Sequence, residues 1–99
     1  MYKLLYLPLV SYDILEIEAG LNEFSSAAAD RLTEEINDLT QTLTEHPLMY
    51  QVFEDDDYYR SMPLCYEYRL FYHVEERTKT IEIHRVLHGV MDLKSRLQE

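Results

Sequence analysis

The chain is short of the residues that stiffen or staple small proteins. It has one cysteine, no tryptophan, two glycines and three prolines among 99 residues. The lone thiol, Cys65, cannot form an internal disulfide and fits a reducing compartment. No neighbour in sequence activates it, so it reads as a small buried hydrophobe rather than a nucleophile. So few glycines and prolines leave few turns and long elements. No run reaches the ~18 apolar residues of a membrane span. The opening Met1-Tyr2-Lys3-Leu4-Leu5-Tyr6-Leu7-Pro8 is too short and too soon broken for a signal peptide. These absences predict a cytoplasmic protein without a membrane segment.

Bases are scarce in the first half. Residues 1–57 hold 13 acids and two bases, Lys3 and Arg31, whereas residues 58–99 hold six acids and seven bases. The first part therefore carries −11 and the second +1, which agrees with the overall −10. A body of this sign repels phosphates, so strong direct nucleic-acid binding is not expected. A local cationic patch in the C-terminal half remains open. The hydrophobic fraction of 46% excludes a disordered polymer. The length suits one domain, residues 1–99, around one core.

Residues 2–7 are apolar and aromatic and read as a strand closed by Pro8. Ser11 is a candidate N-cap for a first helix, in which Ile14, Ile17 and Leu21 recur at helical spacing. Ser25 or Ser26 can cap a second helix, in which Ala29, Leu32, Ile36, Leu39 and Leu43 give the clearest periodicity in the chain. Pro47 stops it. Glu34, Glu35 and Asp38 fall off the stripe and read as a solvated face. Tyr50–Phe53 and Tyr58–Met62 suggest short strands on either side of the acidic turn Glu54–Asp57.

Cys65–Glu75 reads as a strand of period two. Tyr68, Leu70, Tyr72 and Val74 share one face; Glu67, Arg69, Phe71 and His73 share the other. Glu76–Lys79 makes a turn into a last strand, Thr80–His88, ended by Gly89. Strict alternation from Ile81 would drive Arg85 into the core, which predicts a bulge near it. Val90–Leu97 reads as a short helix or ordered tail. The predicted fold is α+β: a two-helix hairpin on one face of a small, mostly antiparallel sheet, in the order β-α-α-β-β-β. The other sheet face would be partly open, with Arg69, Phe71 and His73 on it.

Neither a cofactor nor a metal is called for. There is no Gly-rich phosphate loop and no visible Ser–His–Asp arrangement. His84 and His88 lie about 13 Å apart along a strand, too far for one ion. Most of the nine tyrosines read as core and sheet-face residues rather than as a stacking platform for bases.

This order, with its last hairpin, resembles the ParE/RelE superfamily of toxins from bacterial type II toxin–antitoxin modules. "YKLLYLPLVSYDILEIEAGL" is similar to the family's first strand and helix, and "AAADRLTEEINDLTQTLTEHP" to its long second helix. "YRSMPLCYEYRLFYHVEERTKTIEIHRVLHGVMD" is similar to its terminal strands. The resemblance implies a growth-inhibiting toxin of the plasmid-stabilisation type, neutralised by a cognate antitoxin. It implies DNA gyrase as the target in ParE-like members, and the ribosome in RelE-like members, which cut mRNA. By the same resemblance Arg69 matches an arginine that stabilises a scissile phosphate, Arg60 a basic position on the preceding strand, and His88 a general acid or base.

The segment after the last strand, Gly89-Val90-Met91-Asp92-Leu93-Lys94-Ser95, holds neither the arginine nor the tyrosine of RelE-like nucleases. ParE-like inhibition is therefore the favoured expectation. The alternatives are an endoribonuclease using Arg69 and His88, and a non-toxic relative serving as an interaction module. Arg69 has a structural alternative as well: an ion pair with Glu67 or Glu82, or stacking between its tyrosine neighbours.

Overall fold

Pro8 both ends the first strand and starts the first helix. Its ring fixes φ and removes a donor that the first helical turn does not need. In the computed structural model, which describes residues 1–89 and 92–98, β1 spans Lys3–Tyr6 and α1 spans Pro8–Asn22. Ser11 is not the cap: it lies inside α1, and Leu7 holds the N-cap position without a side-chain hydrogen bond. α2 spans Ser26–Glu45 and is capped at Ser25, whose Oγ accepts the Ala28 N–H at 3.3 Å. Its residues Ala29, Leu32, Ile36 and Leu43 are buried.

The remaining elements are β2 (Arg60–Pro63), β3 (Tyr68–Glu75), β4 (Thr80–His88) and the short α3 (Leu93–Leu97). The sheet order is β1-β4-β3-β2. β3 pairs antiparallel with both β2 and β4, and β1 lies parallel to β4 with Lys3 opposite Thr80. The architecture is α+β with the expected order of elements. No helix among the described residues is long and apolar enough to cross a membrane.

Period two on β3 sorts the core. Leu70 and Tyr72 join Ile81, Ile83 and Val86 of β4 beneath Val10, Leu32, Ile36 and Leu43 of the helices, with Tyr68 and Val74 packed against them. The bulge lies where the alternation requires it. Phe71 faces Arg85 while Tyr72 faces Ile83, so His84 is the extra residue on β4. One added residue lets Ile81, Ile83 and Val86 all enter the helix-side core and turns Arg85 away from it.

Three expectations need correction. Tyr50–Phe53 is not a strand: it contributes one isolated bridge, Val52 with Arg60. Cys65–Glu67 is a 3-10 turn in which Tyr66 and Glu67 both take left-handed φ, at 59° and 64°. The Cys65 N–H donates to Glu35 Oε1 at 2.6 Å, so Glu35 belongs to a tertiary contact and not to a solvated face. The sheet face away from the hairpin, expected to be partly open, carries a small core of its own. Phe71, Leu87 and Leu97 are buried there, with Phe53, Tyr59 and Leu93 against them. The predicted tail is a helix from Leu93; Val90 and Met91 lie outside the described residues.

β1 ends at Tyr6, so the β4 edge beyond Ile83 needs another partner. Leu7 N–H reaches Ile83 O at 3.0 Å, and then Asp13 of α1 takes over. Its Oδ2 accepts the Val86 N–H at 3.1 Å and the Arg85 Nε–H at 2.7 Å, while Oδ1 accepts Arg85 Nη2 at 2.9 Å. Arg85 Nη1 donates to the Arg96 carbonyl at 3.0 Å, which ties α3 to the same knot.

Candidate functional site

Arg69 and His88 border two separate clefts, and their side chains leave opposite faces of the sheet. Arg69 is on the face away from the hairpin, set between Pro63 of β2 and Leu87 of β4. Its Nη2 donates to Ser61 Oγ at 2.5 Å. Among the described residues no carboxylate forms an ion pair with it, so neither Glu67 nor Glu82 neutralises it. The guanidinium borders a cleft of about 690 Å³, together with Gln51, Phe53, Ser61, Gly89 and Leu93. Gly89 matters to this shape. Its N–H meets the Glu67 carbonyl at 2.7 Å, and a Cβ there would stand 3.0 Å from that oxygen and 4.0 Å from Arg69 Cδ.

His88 is on the other face. It sits opposite Tyr68, with the two rings edge to face at 5.1 Å, and its Nε2 lies 3.9 Å from Glu67 Oε2. It lines a cleft of about 440 Å³ between α1 and the end of the sheet. Ile17, Leu21, Phe24 and Tyr68 supply apolar walls, and Glu16 and Glu23 add acidic groups. Arg60 is opposite Tyr72, on the hairpin side, and its Nη1 donates to the Tyr50 carbonyl at 2.7 Å. The structure therefore does not bring Arg69, His88 and Arg60 together.

The remaining histidines do not join Arg69 either. His73 shares its face but lies four residues along β3, about 13 Å away at strand spacing. There the Tyr58 ring stacks on it at 3.8 Å, and His73 Nδ1 contacts the Tyr58 carbonyl at 2.8 Å. His84 lies edge to face with Tyr59 at 5.1 Å, with Nε2 3.0 Å from Glu82 Oε1. Burial raises the Tyr58 and Tyr59 hydroxyls, with nearby acids adding to the effect. This aromatic–imidazole cluster was not foreseen, because its pieces come from the 54–59 loop and two strands.

The chemistry available at these clefts is that of binding. Transesterification of RNA needs a base and an acid beside the cation that holds the phosphate; within the described residues no imidazole stands next to Arg69. Cys65 is not a nucleophile in waiting, since burial, with Glu35 beside it, pushes its thiol up. Among the described residues no group of three histidine, cysteine or acidic side chains is placed to hold a metal.

A comparison with curated proteins found no match. A family model described as the ParE toxin of the type II toxin-antitoxin system, parDE, matches residues 4–93. That span includes the hairpin, the sheet apart from Lys3, and the lining of both clefts apart from Arg96. The chain belongs to the ParE toxin family of type II toxin–antitoxin systems.

Proposed function

We propose that this toxin arrests growth by binding its target rather than by cutting RNA, with DNA gyrase as the target class. The observation that supports this reading is the separation of Arg69 from His88 by the thickness of the sheet. A cation without an adjacent acid or base can anchor a partner's carboxylate or phosphate, but cannot shuttle a proton. Arg69 is then a contact residue for the target.

We also propose that a cognate antitoxin neutralises the toxin by laying an amphipathic segment along the α1 cleft. Its apolar side chains meet Ile17, Leu21 and Phe24, and its basic side chains meet Glu16 and Glu23. This makes the docking segment basic, as an acidic surface of this strength requires.

The test combines inducible expression in a bacterial host with two purified assays: DNA supercoiling by gyrase, and mRNA cleavage on ribosomes. Growth arrest with inhibited supercoiling and intact mRNA is the expected result, with both effects weakened at least tenfold by Arg69→Ala. A second reading, cleavage using Arg69 and His88, is favoured by one fact: Arg69 has no carboxylate partner among the described residues. Ribosome-dependent cleavage abolished by either Arg69→Ala or His88→Ala would establish it instead. Unimpaired growth would point to a non-toxic interaction module.

A further inference from the structure

The turn that joins β2 to β3 takes a backbone that its residues resist. The Cys65 carbonyl accepts the Tyr68 N–H, so Tyr66 and Glu67 are the two central residues. Both have positive φ, at 59° and 64°. Two such angles in succession belong to a type I′ turn, which Asn-Gly or Asp-Gly fills without strain. Any larger side chain in the left-handed region crowds a carbonyl oxygen. The hydrogen bonds that hold the turn do not require these side chains, because the backbone makes them. Cys65 N–H donates to Glu35 Oε1 at 2.6 Å, and the Glu67 carbonyl accepts the Gly89 N–H at 2.7 Å. The side chains themselves face solvent. Tyr66 is 41% exposed, with Arg31 Cζ 5.9 Å from its ring, and the Glu67 side chain is 77% exposed. Strain of this kind, kept where it displays two outward side chains, is characteristic of contact sites.

The turn also stands beside Arg69. Glu67 and Arg69 line one cleft of about 310 Å³, with Pro63 and Leu64 as apolar walls. The cation therefore has an acid at its rim, on a body of net charge −10. A polyphosphate approaching Arg69 would meet the Glu67 carboxylate and be repelled. A polypeptide carrying both signs would not. Resting on the reading of Arg69 as a target contact, we propose that the Tyr66–Glu67 turn is the other half of that contact. The ligand it fits is a protein segment of the target, not a nucleic acid. An acidic side chain of that segment pairs with Arg69, and a basic one sits between the Glu67 carboxylate and the Tyr66 ring. The strained backbone is kept because Asn-Gly, which would relax it, offers neither the ring nor the charge.

Two variants of the full chain test this, each read by induced growth arrest, by gyrase supercoiling and by melting temperature. Tyr66→Asn combined with Glu67→Gly relieves the strain and removes both side chains. Its melting temperature should rise by on the order of 5 °C, while toxicity and inhibition fall by about tenfold. Glu67→Lys should leave the melting temperature unchanged, since the side chain is exposed, and weaken inhibition by about as much. Stronger inhibition by Glu67→Lys would assign the cleft to a polyanion and overturn the proposal. Wild-type potency in either variant would overturn it too, as would a lower melting temperature in the double variant, which would make the two side chains structural. Arg69→Ala separates the two readings. If it is impaired while the turn variants are not, this proposal alone falls; if it is as potent as the wild type, the target reading of Arg69 falls and takes this proposal with it. Growth arrest without gyrase inhibition would change the target class and leave the turn to be judged by growth alone. A wild-type chain that neither arrests growth nor inhibits gyrase overturns both.

Discussion

Tyr72 shows how one buried hydroxyl links local pattern to alkaline stability. It is fully buried, its OH donates to the Pro47 carbonyl at 3.1 Å, and burial pushes it up to about 12. In the unfolded chain a tyrosine titrates near 10. A folded value above the unfolded one means the contribution is complete below pH 10 and is lost as pH rises through 12. Tyr72→Phe should therefore cost about 1 kcal/mol near neutrality, the worth of one hydrogen bond. The same variant should lose less stability than the wild type between pH 10 and 12, which urea unfolding across that range would measure. Its inward direction was legible from the sequence, because period two on β3 assigns Tyr72 to the side of Leu70. Its acceptor was not, since Pro47 lies 25 residues away in a loop without periodicity. Arg69 repeats the lesson. Its face was legible, whereas Ser61 as its partner depends on a β2–β3 register that no local pattern encodes.

At the scale of elements, the joint between α1 and β4 is made by polar groups. Asp13 and Arg85 are 13% and 8% exposed, and the carboxylate also takes a backbone N–H that would otherwise be orphaned. Removing one member of a buried pair is costly, whereas replacing both with apolar groups often is not. Asp13→Ala should lower stability by about 3–5 kcal/mol in urea unfolding. Asp13→Leu combined with Arg85→Met should recover much of that loss. A double variant as unstable as Asp13→Ala would show that the backbone cap at Val86, not the ion pair, holds the joint. The elements themselves were well marked: Pro8, Ser25, Pro47 and Gly89 all stand at their boundaries. An arginine where alternation demands an apolar residue pointed to a bulge, and the bulge is there. The same anomaly, set beside an acid next to the apolar stripe of α1, was the available signal for the pair. Its two members are 72 residues apart, which is why spacing alone did not join them.

Across the whole molecule, the division of charge becomes a division of surface. Exposed acids line the hairpin, among them Glu16, Glu23, Glu34, Asp38 and Glu45. Arginines 60, 69 and 85 of the C-terminal half are instead drawn onto the Tyr50 carbonyl, Ser61 and Asp13. Antitoxin association, if guided by the acidic hairpin, should slow on the order of tenfold when salt rises from 50 to 500 mM, while dissociation changes less. Stopped-flow mixing would separate the two rates. The parallel pairing of β1 with β4 has a temporal meaning as well. Lys3 meets Thr80, so the first strand to leave the ribosome waits for the last before its edge is satisfied. The sheet of a toxin wired this way stays incomplete until β4 has been made.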